Sequence, residues 1–66
     1  MNQQFMIQCI DRRGMQHSST FDVPESAGNS ILRYGWEEAK RLCGDVRAVS
    51  TAYISTIDGR IVGTLR

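Results

Sequence analysis

From residue 3 to residue 11 the side chains alternate as in an extended strand, with Phe5, Ile7 and Cys9 on one side and Met6, Gln8 and Ile10 on the other. Asp11-Arg12-Arg13-Gly14 comes next. Asp suits the first position of a type I turn, and Gly accepts the left-handed conformation after it, so the segment predicts a three-residue hairpin loop with a bulge. Pairing Asp11 with Met15 sets Cys9 opposite His17, Ile7 opposite Ser19 and Phe5 opposite Phe21. These odd positions, joined by Val23, form the face expected to turn inward. Pro24 has no N–H to give to a ladder and should end the second strand.

The polar stretch 25–29 leads to a helix that starts between Ser26 and Ser30, with Ser26 and Asn29 both candidate N-caps. Over 30–43, Ile31, Leu32, Trp36, Ala39, Leu42 and Cys43 recur at three- and four-residue spacing, while Arg33, Glu37, Glu38, Lys40 and Arg41 take the other side. Glu37 and Arg41 lie one turn apart and can pair, and Gly44 suits the position just past the helix end. Gly35 inside the helix costs about 1 kcal/mol relative to alanine, so its expected use is close approach to the sheet.

A strand rich in Val, Thr, Tyr and Ile is expected over 46–57, then a two-residue turn at Asp58-Gly59 and a last strand over 60–65. That turn pairs Thr56 with Ile61, Ile54 with Gly63 and Ala52 with Leu65. It directs Val46, Ala48, Ala52, Ile54, Ile61 and Leu65 toward the helix, where the small residues leave room for Trp36. The expected fold class is therefore α+β: a four-stranded antiparallel sheet of two β-hairpins with one helix packed on one face (ββαββ), as a single domain over 1–66.

With 66 residues the core is thin, and association with another chain is one way such a small fold gains stability. No apolar run approaches the ~20 residues that cross a bilayer, and no secretory signal opens the chain. Cys9 and Cys43 show no framework spacing, which fits a reducing, cytoplasmic location. Eight Lys and Arg against seven Asp and Glu leave a formal charge of +1, so the phosphate-neutralising component of nucleic-acid binding is weak.

Little in the chain resembles catalytic machinery. His17 opposite Cys9 suggests a thiolate–imidazole pair, but nucleophilic catalysis also needs an orienting group, an oxyanion site and concavity. Cys9, His17, Cys43 and Asp45 lack the close pairing of structural zinc ligands, and no phosphate-cradling glycine loop occurs. The expectation is a non-enzymatic protein without cofactor or metal.

The more informative feature is the face left uncovered. Opposite the helix the sheet should present Met6, Gln8 and Ile10, then Val49, Thr51, Tyr53, Ser55, Ile57, Val62 and Thr64. An apolar patch of this kind marks an association site. The residues expected to bind a partner are Met6, Ile10, Tyr53, Ile57 and Val62, with Arg12, Arg13 and Arg60 as a polar rim. A protein partner comes first, and a homodimer through the same face is compatible with it. Nucleic acid comes second, because only Tyr53 is placed to stack a base.

The segments FMIQCIDRRG, SILRYGWEEAKRLCG and TAYISTIDGRIVGTLR give a layout that resembles small phage and mobile-element proteins, among them anti-CRISPR inhibitors with one helix on an antiparallel sheet. The resemblance spans nearly the whole chain and lies in order and size. It implies action without catalysis, by covering a surface of a host CRISPR-type complex. Many such inhibitors are strongly acidic mimics of nucleic acid; this chain is not, so inhibition here would come from shape and apolar contact.

Overall fold

The computed structural model describes residues 2–27 and 30–66. Two long strands, β1 (Asn2–Asp11) and β2 (Gln16–Pro24), form the first hairpin. A 3₁₀ turn (Glu25–Ala27) leads toward helix α1 (Ile31–Cys43), and a second 3₁₀ turn (Val46–Ala48) precedes β3 (Val49–Thr56) and β4 (Ile61–Thr64). All strand pairings are antiparallel and the sheet order is β2-β1-β3-β4. The expected α+β class and ββαββ order are thus the observed ones.

The first hairpin has the expected register, with Cys9 opposite His17, Ile7 opposite Ser19 and Phe5 opposite Phe21. Its tip closes through Asp11 N–H to the Met15 carbonyl (3.0 Å) and Gly14 N–H to the Asp11 carbonyl (2.9 Å), with Gly14 at φ +87°. Phe5, Ile7, Cys9, Phe21 and Val23 are all buried, and the two phenyl rings lie 6.1 Å apart.

Ser30 precedes the helix without a side-chain capping bond, so the helix starts at the late end of the expected range. Ser26 belongs instead to the first 3₁₀ turn, and Asn29 falls outside the described residues. Gly44 ends the helix at φ +92°, donating to the Lys40 carbonyl at 2.7 Å. The helix packs on all four strands, with Gly35 and Ala39 at its centre of contact. A β-carbon on Gly35 would overlap the fully buried Ile54 side chain, which confirms close approach as the reason for glycine there. The residues directly over the sheet are therefore Gly35 and Ala39. Trp36 is half-buried and packs against the core, with the Arg66 guanidinium 5.0 Å from the centre of its ring.

Two bulges change which residues face the helix. On β3, Ile10 pairs with Thr51 but Asp11 pairs with Val49, so Ser50 is an extra residue and the alternation reverses phase there. Val49, expected on the open face, is consequently fully buried with Ala52 and Ile54. Val46 and Ala48 are not strand residues but form the 3₁₀ turn, in which Val46 stays 36% exposed.

The second hairpin also departs from expectation. Its loop has three residues, Ile57-Asp58-Gly59, closed by Thr56 N–H to the Arg60 carbonyl (2.8 Å) and Gly59 N–H to the Thr56 carbonyl (3.0 Å), with Gly59 at φ +98°. Ile61 therefore pairs with Ser55 rather than with Thr56. Val62 is the extra residue of a second bulge, after which the expected pairing of Ile54 with Gly63 is restored. Ile61 consequently shares the open face with Ser55 and is 60% exposed, contrary to the helix-facing position expected for it.

Candidate interaction surface

The open face is built from cross-strand rows, because paired residues project to the same side of a sheet. One row runs Thr20, Met6, Ser55 and Ile61; the next runs Ser18, Gln8, Tyr53 and Thr64; a third holds Gln16, Ile10 and Thr51. Ser55, at the centre of the first row, is buried to 5% exposure on a face that no other layer of the fold covers. Its neighbours in the row are the half-buried Met6 and the exposed Ile61.

The apolar residues are not spread evenly over this face. Met6, Ile61, the bulge residue Val62 (41% exposed) and the adjoining loop residue Ile57 (53% exposed) gather toward the β3–β4 hairpin. Tyr53 is half-buried one row away. Ile10 is separated from Met6 by Gln8 and sits toward the other end, where residues including Gln8, Ile10, Gln16, Thr51 and Tyr53 line a depression of about 100 Å³. The β2 side is polar, with Gln16, Ser18, Thr20 and Asp22 all exposed.

Of the residues expected to bind, Met6, Tyr53, Ile57 and Val62 thus fall near one another, and Ile10 lies apart. The arginines do not frame a single patch. Phe5 pairs with Thr56 and Ile10 with Thr51, so the β1–β2 tip carrying Arg12 and Arg13 is at the opposite end of the sheet from Arg60. Arg12 Nε donates to the Arg47 carbonyl at 2.6 Å, and Arg66 donates to the Val46 and Val49 carbonyls at 3.2 and 3.0 Å. These side chains brace the 3₁₀ turn at that end.

Ile61 is the residue sequence reasoning missed, and a signal for it existed. In the first hairpin Asp11 Oδ1 accepts from Met15 N–H at 2.9 Å; in the second, Thr56 Oγ1 accepts from Arg60 N–H at 3.0 Å. A polar acceptor followed three residues later by glycine is common to both, so the second loop could have been read by analogy with the first.

On the helix side, Cys9 lies against Cys43 with the sulfurs 3.7 Å apart, and both cysteines are free. Burial, then the hydrogen bond and charge of Cys43, push the Cys9 thiol up to about 11. His17 Nε2 is instead 3.0 Å from Asp11 Oδ2. The bond to His17, followed by the backbone N–H groups of Met15 and Arg13, holds the Asp11 carboxyl below its usual value. A protonated, buried thiol and a histidine engaged with the turn carboxylate do not compose a nucleophile–base pair. No group of three or more His, Cys, Asp or Glu that could hold a metal ion occurs among the described residues.

The helix's polar face is also tied to the sheet. Arg41 pairs with Glu38, one turn back, and not with Glu37 as expected; Glu38 in turn accepts from Ser19 Oγ of β2 at 2.9 Å. Among the described residues no helix is long and apolar enough to cross a membrane. Compared with protein-family models, with curated proteins and with solved structures, the chain matches none.

Proposed function

We propose that this chain is a non-enzymatic binding protein that associates with a protein partner through the β3–β4 half of its open sheet face. The observation supporting this is that Ile61 and Val62 stand 60% and 41% exposed on β4, Ile61 in the same row as Met6, and Ile57 stands 53% exposed in the adjoining loop, whereas the β2 edge of the same face is polar. Clustered exposed apolar side chains lower the free energy of a complex that covers them. The buried thiol of Cys9 and the engagement of His17 by Asp11 favour binding over catalysis. The likeness of layout to phage and mobile-element inhibitors makes a CRISPR-type effector complex in the cytoplasm the first partner class to assay, by loss of target cleavage in its presence. With a formal charge of +1, such inhibition would rest on apolar occlusion.

The test compares Ile61→Asp/Val62→Asp with a helix-face control, Arg33→Glu. The partner complex, or a second copy of this chain measured by sedimentation, should bind wild type and the control but not the double variant. Equal binding by all three, with the folds intact, refutes the reading. The rival, a nucleic-acid-binding regulator, predicts retention on immobilised DNA or RNA that survives the double variant and falls steeply with salt.

A further inference from the structure

The two cysteines are 34 residues apart in sequence, yet the fold brings them together at the junction of helix and sheet. Cys9 is on the central strand β1 and is 2% exposed, while Cys43 is the last residue of α1 and is half-buried. We propose that this pair is a thiol–disulfide exchange site, in which Cys43 reacts with a low-molecular-weight disulfide such as oxidised glutathione and Cys9 resolves the adduct into an internal Cys9–Cys43 disulfide.

Access decides the order of events. Cys43 meets solvent and Cys9 does not, so the Cys43 thiolate attacks one sulfur of oxidised glutathione. The new bond from Cys43 Sγ to glutathione forms as the glutathione S–S bond breaks, and one glutathione thiolate leaves with the bonding electron pair. Cys9 then gives up its proton to solvent and attacks Cys43 Sγ, expelling the second glutathione thiolate. Two protein thiols are oxidised to one disulfide, and one oxidised glutathione is reduced to two thiols.

The sulfurs already lie near each other for the second step. A disulfide bond is about 2 Å long, so from their 3.7 Å separation they have about 1.7 Å to close. Once Cys43 carries glutathione, its own hydrogen bond and charge no longer hold the Cys9 proton in place, which leaves burial as the main obstacle to ionisation. The pair joins the helix to the central strand of the sheet.

The test treats the reduced full-length chain with excess oxidised glutathione, then traps free thiols with iodoacetamide. The expected product is a monomer two hydrogens lighter than the reduced chain and closed to alkylation. Trypsin without reductant should yield the peptide of residues 1–12 joined to that of residues 42–47. Because the bridge closes a long loop, melting should rise by about 10 °C or more. Cys43→Ser should give no product, and Cys9→Ala should stop at a stable glutathione adduct on Cys43. Should Cys9→Ala fail to fold, the wild-type peptide map decides. A lasting glutathione adduct on wild type, a disulfide-linked dimer, or two alkylatable thiols after treatment would each overturn the proposal.

Discussion

Replacing Gly35 by alanine sets two effects of similar size against each other, and the structure says which prevails. In a solvated helix the change gains about 1 kcal/mol, because glycine is the poorer helix former. Here the new methyl would overlap Ile54 Cδ1, lie 3.1 Å from Ile54 Cγ1 and 3.5 Å from Leu65 Cδ1. Ile54 is fully buried, paired to Ile7 on one side and Gly63 on the other, so its side chain has little free space to enter. Overpacking of this kind costs about 1–3 kcal/mol, and subtracting the propensity gain leaves a net loss of about 1 kcal/mol. For a domain of this size that lowers the melting temperature by about 4–8 °C.

A double-mutant cycle makes the reasoning refutable. Ile54→Val removes the overlapped Cδ1 and alone should cost about 1 kcal/mol, as such truncations do. In the combined variant the methyl introduced by Gly35→Ala occupies part of the vacated space, so the two losses should not add, and the coupling should reach about 1 kcal/mol in the stabilising direction. Urea denaturation of the four proteins, followed by tryptophan fluorescence from Trp36, supplies all the values. If Gly35→Ala alone stabilises the fold, or if the losses add within about 0.5 kcal/mol, the helix does not press on Ile54 as described.

Gly63→Ala offers a contrast: its methyl would come within 2.7 Å of Leu32 Cδ2, the end of a side chain 47% exposed and free to swing away, so thermal melting should move less than for Gly35→Ala. Acid should destabilise the fold partly through Asp11. Its folded pKa is depressed, so the stability it contributes is full above the unfolded value near 4 and is lost as pH falls through the folded one. Asp11→Asn should therefore be less stable at neutral pH and show a shallower acid limb in pH-dependent melting. Glu38, Asp45 and Asp58 are also depressed and should keep part of that limb in the variant. A limb of unchanged slope would show that Asp11 does not hold the first turn.

The legible parts of the fold were those set by local chemistry. The first hairpin followed from Asp11 and Gly14, and its register placed five core residues correctly. The helix followed from three- and four-residue spacing, and Gly35 correctly implied close approach. Alternation failed at the bulges. A single extra residue reverses every side chain beyond it, and nothing in Val49-Ser50-Thr51 advertises that Asp11 will pair with Val49. Asp58-Gly59 is likewise compatible with a two-residue or a three-residue loop. The choice fell to Thr56, whose hydroxyl interacts with Asp58 and accepts from Arg60 N–H. Contacts between distant segments, such as Cys9 with Cys43 and Glu38 with Ser19, depend on where the helix lands on the sheet. No local pattern encodes that position.

The open face itself bears on whether its apolar residues are only what strands favour. Strand preference acts on all four strands alike, because β-branched and aromatic residues fit a pleated surface wherever it occurs. On β2 the inward positions Phe21 and Val23 are apolar, while the outward positions Gln16, Ser18, Thr20 and Asp22 are polar, so this edge of the face meets water with polar side chains. Solvent-facing strand positions in this chain are therefore compatible with polar residues. Ile61 and Val62 occupy such positions on β4, and a bulge at Val62 turns both away from the regular alternation that would have hidden one of them. Preference for strand structure does not explain why the outward positions of β4 are exposed and apolar while those of β2 are polar. The association surface proposed above would account for the uneven distribution of exposed apolar residues on this face.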